Sequence, residues 1–312
     1  MKNIQDWNIS RQIVWGIPIP AKICKKCKEG FVDIEDKIKK CPKCGGEVYS
    51  DPDTFDTWFS SGQWPFAALG YPDNNDYKIY YPTDVMETGS DILFFWAARM
   101  IMLGIYVTGE VPFKTVYLHG LVRDADRQKM SKSKGNVISP IEMSEKYGTD
   151  ALRMALVVGN TPGSDMALSE DKIKGYKHFA NKIWNVSRFV LENTKDFDFD
   201  KKPEITDGDK KLLDELASEI KTVTDDIENY RFYMSAEKLY HYFWHNFADI
   251  IIEKSKARLA SPKKGEREST QWTLFEIISA LIKTLHPFMP FITEEIWSMM
   301  AGKNNLLIIE EW

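Results

Sequence analysis

The sequence has 312 residues, room for two domains of ordinary size, and its 43% hydrophobic and 28% charged residues are the balance of a globular protein rather than a disordered or fibrous one. Its 41 Lys and Arg against 46 Asp and Glu leave a net charge of −5, which excludes a general attraction to polyanions over the whole surface and counts against DNA as a partner. No apolar run is expected to reach the length of a membrane span, and Met1-Lys2-Asn3-Ile4-Gln5-Asp6-Trp7 is no signal peptide, so no membrane partner is expected and a cytoplasmic location follows by default.

The chain opens on apolar and aromatic residues that need partners, among them Trp7, Ile9, Val14, Trp15 and Ile17; core packing is the favoured role of Trp7 and Trp15. A self-standing domain rarely begins this way. Next come Cys24-x-x-Cys27 and Cys41-x-x-Cys44, the only cysteines, with Gly45 and Gly46 after the second pair. Two close pairs present four thiolates tetrahedrally, as a structural zinc ribbon over about residues 21–50 requires. Disulfides are the competing reading, disfavoured in a chain without secretory features. A closed four-thiolate site leaves no position for water, so the metal would serve folding rather than hydrolysis.

Asp53 to Phe66 is rich in aromatic residues, and its Trp58 has an ordinary core role open to it. Lys78 to Met86 reads as a strand ending in a turn, followed by Gly89-Ser90-Asp91 and an apolar helix from Ile92 to Leu103. A strand, a glycine turn and a helix N-terminus form the place where phosphate or ribose binds in a doubly wound fold. Asp91 is able to accept from a ribose hydroxyl or to cap its own helix, and the two roles are compatible. A further strand over Thr115 to Val122 carries His119-Gly120, a histidine that would also suit a core and a glycine that permits close backbone approach.

Lys129 to Asn136 packs three lysines, two serines and a glycine into one short stretch, which reads as a mobile cationic loop. A solvated loop or a basic targeting patch is the bland alternative. Lysines at this spacing can close around a polyphosphate and follow its charge to the leaving group. Ser139 as N-cap, Pro140 at N1 and Glu142 at N3 form a capping box that pins the far end. Short helices over 141–147 and 151–158 stop at Gly148 and Gly159, and Asn160 to Asp165 is a concentrated turn signal, so a domain boundary is expected near 162.

From Ser169 onward the period is helical. Ile173, Tyr176, Ala180, Ile183, Ser187 and Val190 form one stripe behind Ser169 as N-cap, and after a linker over 196–209 come Leu212, Leu216, Ile220, Val223, Ile227 and Tyr230. A third helix runs from Ser235 to about Leu259, a fourth through Leu274, Ile278 and Leu285 until His286-Pro287, and a short fifth includes Thr293 to Trp297. These stripes imply an α-bundle, with Tyr240, Tyr242, Phe243, Trp244 and Phe247 mainly in its core.

Lys129-Met130-Ser131-Lys132-Ser133 resembles the KMSKS signature of the class I aminoacyl-tRNA synthetases. Glu87 to Met100, Pro112-Phe113-Lys114 and His119 to Asp124 narrow the resemblance to the valine-specific branch, while Ile9-Ser10-Arg11-Gln12, Asp56-Thr57-Trp58-Phe59-Ser60-Ser61 and Leu285 to Phe291 resemble segments of the family as a whole. It covers nearly the whole chain. It implies an α/β then all-α architecture: the second half of a doubly wound, Rossmann-like class I catalytic domain with a zinc-ribbon insertion over 1–162, then a helical-bundle anticodon-binding domain over 163–312. It implies ATP with Mg2+ as substrate, valine and tRNA(Val) as partners, and structural zinc on Cys24, Cys27, Cys41 and Cys44. Lys129 and Lys132 would be catalytic; Lys129, Ser131, Lys132, Gly89, Asp91, His119 and Gly120 would bind ATP; Trp58 and Trp96 would wall the valine pocket. Two flat rings without polar partners suit a branched aliphatic side chain, although they do not reject an isostere that adds a hydroxyl.

The sequence departs from the family in lacking the HIGH signature, the editing domain and a C-terminal coiled-coil arm, and its five histidines, His119, His178, His241, His245 and His286, stand in other contexts. The expectation is half an active site, in a split subunit or a fragment that is inactive until an N-terminal half carrying HIGH is supplied. A non-catalytic tRNA-binding paralogue is the alternative, and the intact lysine spacing argues against it. A zinc-ribbon regulator ranks behind both.

Overall fold

The structure, a computed structural model, describes residues 5–300 and 305–311. The chain forms two compact units, Met1–Leu118 and His119–Trp312.

The first unit opens with five short strands: β1 (Ser10–Arg11), β2 (Ala21–Cys24), β3 (Gly30–Val32), β4 (Val48–Ser50) and β5 (Thr54–Phe55). β2 pairs antiparallel with both β3 and β4, with Ile23 opposite Gly30 on one side and Tyr49 on the other, while β1 pairs antiparallel with β5. The predicted ribbon is therefore present as a three-stranded sheet. Helices α1 (Thr57–Ser61), α2 (Trp64–Ala67) and α3 (Asn75–Tyr80) follow. α3 corrects the strand expected from Lys78: Asn74 accepts from the Asp76 N–H and starts a helix there, and the strand β6 begins only at Thr83, running to Gly89. β6 pairs with β7 (Phe113–His119).

Between these strands lies a helical run that starts as a 3-10 turn (Ser90–Ile92), continues as a π segment (Leu93–Ala97) and ends as α4 (Ala98–Thr108). It extends beyond the predicted stop at Leu103 because its C-cap is Gly109, in the left-handed region at φ 83°. That extension overturns the expectation about apolar length: Ser90–Thr108 spans 19 residues and is long and apolar enough to cross a membrane by length and composition. Its contacts within the unit are specific. Ala97 and Met100 are fully buried against Phe113, and the Arg99 guanidinium lies 3.8 Å over the Trp7 ring and 3.7 Å from the Asp56 carboxylate. Trp7 is half-buried, whereas Trp15 is 88% exposed, so the core role expected of Trp15 is not realised in this unit.

In the second unit β8 (Val122–Arg123) runs parallel to β9 (Met166–Ala167), and the helices are α5 (Pro140–Tyr147), α6 (Thr149–Val157), α7 (Glu170–Asn193), α8 (Asp207–Glu228), α9 (Phe232–His241), α10 (Ile252–Leu259), α11 (Lys264–Leu285) and α12 (Pro290–Ser298). α9 passes into α10 through a π segment, Tyr242–Ile251, so the expected third helix is one continuous element. The predicted caps hold: Ser139 accepts from the Glu142 N–H and Ser169 from that of Lys172. The stripes meet in one core where Phe179, Ile183, Val190, Leu239, Phe243, Phe247, Ile277, Ile278 and Trp297 are inaccessible or nearly so. Burial of these side chains, at about 1.5–3 kcal/mol each, is the main term holding the bundle.

Buried carboxylates set how its helices meet. Asp209, expected in the linker, sits instead in the first turn of α8 and binds Arg258, Ser269 and Thr206. Asp226, near the other end of α8, binds Arg231 at 2.7 Å and Lys238 at 2.6 Å. Asp150 on α6 performs a capping function for a different helix. Its two oxygens accept the Phe291 and Ile292 N–H groups at 3.2 and 2.7 Å, at the start of α12, where Met289 supplies no side-chain cap. One turn on, Arg153 donates to the Pro287 and Phe288 carbonyls. α6 thus grips the whole 287–292 segment, donors by a carboxylate and acceptors by a guanidinium.

Asp150→Ala removes the acceptor of two part-buried N–H groups at the start of α12, and the expected loss in unfolding free energy is about 1–3 kcal/mol. Urea unfolding followed by circular dichroism checks it; a variant melting at the wild-type midpoint would show that the grip contributes nothing.

Candidate functional site

The lysine loop begins from a crossing of two backbones. A side chain on Gly120 would place its Cβ 1.9 Å from the Ser164 carbonyl oxygen, so the close approach that this glycine permits here is to residues 164 and 165. The next residues are then held by Asp165, whose carboxylate accepts from the Leu121 N–H at 2.8 Å and from the Arg123 Nε at 2.5 Å. Those bonds also hold the Asp165 carboxyl below its usual range, the Leu121 N–H first and Arg123 next. They fix β8 beside β9. His119 Nδ1 stands 3.0 Å from the Gly120 oxygen.

Beyond β8 the chain makes a turn stapled by Asp124, whose Oδ1 accepts from the N–H groups of Asp126 at 3.1 Å and Gln128 at 2.7 Å, with Arg127 left-handed at φ 60°. Lys129 returns opposite Arg123. A 3-10 turn, Lys132–Lys134, and Gly135 at φ 66° then bring the chain round to Asn136. The Asn136 side chain closes the ring: Oδ1 accepts from the Ser131 N–H at 2.9 Å, and Nδ2 donates to Asp124 Oδ2 at 2.6 Å and to the Lys129 carbonyl at 3.3 Å. The Asn136 amide, followed by the Gln128 N–H, keeps the Asp124 carboxyl below the ordinary carboxylate value. Lys129, Lys132 and Lys134 are exposed, and the Ser131 and Ser133 hydroxyls lie 3.2 Å apart. The loop expected to be mobile is cross-linked at its base, with its cations outward.

The other residues of interest belong to the first unit. Gly89 is the N-cap of the 3-10 turn, and Asp91 is exposed and caps nothing, so of its two predicted roles the structure removes the cap. Trp58 is half-buried and stacks on Phe95 at 6.3 Å between centroids. Trp96 is also half-buried, but its Nε1 donates to the Ser61 carbonyl at 3.0 Å, correcting the expectation of a ring without a polar partner. A cavity of about 250 Å³ between α2 and β6 is lined by Trp64, Leu69, Met86 and Phe113, not by Trp58 or Trp96. Asp56 organises this region: it accepts from Trp7 Nε1 at 2.8 Å and from Arg11 at 2.7 Å, and caps α1 through the Trp58 N–H. An Asp directly before a helix start was the signal for it.

The four cysteine sulfurs all lie within 4.8 Å of one another. Cys24 and Cys44 are 3.6 Å apart, as are Cys27 and Cys41, and all four thiols are free, so the disulfide alternative is not realised. The N–H groups of Cys27 and Lys26 point at the Cys24 sulfur, and they bring its thiol down to about 6. Gly46 fits between the sulfurs, where a Cβ would sit 3.3 Å from both Cys24 and Cys44. A preformed cluster of four soft donors with an N–H-stabilised thiolate can hold a metal ion in a closed site.

Residues 1–169, more than half the chain, match the family described as tRNA synthetases class I (I, L, M and V). The chain belongs to the class I tRNA synthetases. Residues 209–312 match the anticodon-binding domain of tRNA ligases, so this synthetase chain has a helical anticodon-binding domain after its catalytic-family region, as the fold class inferred from sequence requires. It is similar to the valine--tRNA ligases of Clostridium tetani, 45% identical over 100% of the chain and 36% of the relative, and of Pseudothermotoga lettingae, 46% identical over the same shares. The synthetase chain thus spans about 36% of the length of the curated relatives it matches. In fold it resembles the LeuRS of Agrobacterium radiobacter K84 in a ternary complex with tRNA and LeuAMS, at TM-score 0.77 and 23% identity over 99% of this chain and 43% of that one. It likewise resembles Mycobacterium tuberculosis methionyl-tRNA synthetase bound by methionyl-adenylate, at TM-score 0.71 and 20% identity over 95% and 54% of the two chains.

Protein purified without chelator from zinc-supplemented medium is expected to carry one metal equivalent per chain, and Cys41→Ser to lose it with the ribbon unfolded. Elemental analysis finding well under one equivalent in the wild type would contradict the closed four-thiolate site.

Proposed function

We propose that this chain is the part of a valine--tRNA ligase that supplies the lysine loop, part of the valine pocket and the anticodon-binding bundle. The observation that carries this reading is identity to valine--tRNA ligases along the entire chain, through both the ribbon and the bundle. In the proposed reaction valine attacks the α-phosphorus of ATP through its carboxylate, pyrophosphate leaves, and the valyl group passes from the adenylate to the terminal ribose of tRNA(Val). No side chain of this chain acts as nucleophile or general base. Lys129 and Lys132 hold the departing pyrophosphate, with Ser131 donating from between them; charge growing on that group in the transition state is met by cations already in place. Gly89 and the exposed Asp91 carboxylate take the ribose, His119 and Gly120 the adenine, and Trp58 and Trp96 wall the pocket for the isopropyl group. Mg2+ accompanies ATP. Zinc on Cys24, Cys27, Cys41 and Cys44 folds the ribbon and takes no part in the chemistry.

The domain assignment goes with this reading: residues 1–162 as the second half of the catalytic domain and 163–312 as the anticodon-binding domain. Its partner is an N-terminal half carrying HIGH, and the cytoplasm is its compartment. The division of labour rests on alignment of the reactants, which accounts for about 7–11 kcal/mol of barrier reduction where geometry is ideal and which the lysines alone do not supply.

The test is ATP–pyrophosphate exchange with valine, run on the chain together with an N-terminal half. Lys132→Ala should slow exchange by roughly 10²–10³ while the Michaelis constant for valine stays within about twofold, because the lysine acts on phosphate charge that develops in the transition state. A change confined to the valine Michaelis constant would remove Lys132 from the phosphate site, and no exchange from the wild-type assembly would overturn the assignment.

A further inference from the structure

The lysines cannot act on a phosphate from arbitrary positions, and one side-chain amide fixes three points of the loop that carries them. Asn136 receives the Ser131 N–H on Oδ1, and from Nδ2 it reaches the Lys129 carbonyl and the Asp124 carboxylate, so the residues on either side of Met130 and the loop exit are tied to one group. We propose that Asn136, anchored by Asp124, is the positioning residue for Lys129 and Lys132; the role in catalysis rests on the function proposed above. Asp124 is a fixed anchor because its other oxygen is already occupied by two backbone N–H groups, of Asp126 and Gln128, in a turn closed by a left-handed Arg127. The chemistry of the pair is specific. Only a side chain with an acceptor and a donor on one planar head meets Ser131 N–H and a carboxylate at once. Aspartate at 136 would set two carboxylates against each other, alanine would leave the Ser131 N–H and Asp124 Oδ2 without their partner, and neither change alters a lysine side chain or the bundle core.

The geometry also says which double substitution repairs the damage. With Asp124→Asn and Asn136→Asp together, the residue at 124 still accepts from Asp126 and Gln128 and now donates across the ring, while the residue at 136 still accepts from the Ser131 N–H. The long hydrogen bond to the Lys129 carbonyl goes unmade and a carboxylate oxygen faces that carbonyl instead, so the repair is partial.

The experiment has two arms. In the first, the chain as it stands is digested with limiting trypsin, and cleavage after Lys129, Lys132 and Lys134 is followed by mass spectrometry. Asn136→Ala and Asn136→Asp should be cut there roughly tenfold faster than wild type, since the loop opens locally without global unfolding, and the swapped double variant should return towards the wild-type rate. Thermal unfolding of the bundle, which a general structural defect would shift, should be unchanged. Cleavage of Asn136→Ala at the wild-type rate, or a swapped variant cut as fast as Asn136→Asp, would overturn the proposal. In the second arm, with an N-terminal half supplied, Asn136→Ala should lower kcat for valine-dependent exchange by roughly 10²-fold, as a misplacement near 1 Å does, leave the valine KM alone, and be rescued by the swap. Loss of exchange with no rescue would refute the positioning role, whereas a wild-type assembly without exchange would refute the functional reading and leave the proteolysis arm to decide the latch.

Discussion

The arrangement depends most on how the chain is fixed where it enters and leaves the lysine loop. At the entrance the backbones of Gly120 and Ser164 pass so closely that only a glycine fits, and Asp165 then binds the Leu121 N–H and Arg123 on the neighbouring strand. After the loop, Ser139 starts α5, and Asp150 and Arg153 on the next helix take hold of the 287–292 segment. The loop hangs between these two joints. Three carboxylates therefore determine the shape of a cationic element, Asp165 before it, Asp124 inside its base and Asp150 behind it, each by accepting backbone N–H groups that would otherwise lack a partner.

Charge is distributed accordingly. The loop presents its lysines to solvent while the half-buried Asp124 is bound into its base, and Asp124 and Asp126 with Glu170, Asp171 and Lys174 line a cavity of about 610 Å³. An overall charge of −5 is thus compatible with a locally cationic loop, because Asp124 and Asp165 are engaged in hydrogen bonds at its base while its three lysines stay exposed. The bundle repeats the pattern at Asp209 and Asp226, whose basic partners all come from within the unit.

Much of this was legible from sequence where a local rule operates. The cysteine spacing alone located the cluster, the Ser-Pro-x-Glu pattern located the start of α5, and the three- and four-residue spacing of Ile173 to Val190 identified the buried face of α7. What sequence missed are interactions between residues far apart along the chain. Asp150 caps a helix about 140 residues away, Asp165 reaches back to Leu121, and the Trp96 nitrogen is satisfied by Ser61. No periodicity encodes such pairs. The strand wrongly expected from Lys78 has a local cause: β-favouring Ile and Tyr residues there are overruled by the Asn74 cap and by Tyr77 packing on Tyr71 and Tyr81. Asn136 is an intermediate case, since it was visible as the last residue of the signature stretch but gave no sign of bonding back across it.

The matching family unites enzymes for isoleucine, leucine, methionine and valine, so the choice of valine among the four is what the proposed function adds to membership of the family. Charging of unfractionated tRNA by the chain assembled with an N-terminal half, measured separately with each of the four amino acids, tests it most directly. The account predicts stable charging with valine and at most a small fraction of that rate with isoleucine, leucine or methionine; preferential charging with any of those three would contradict it.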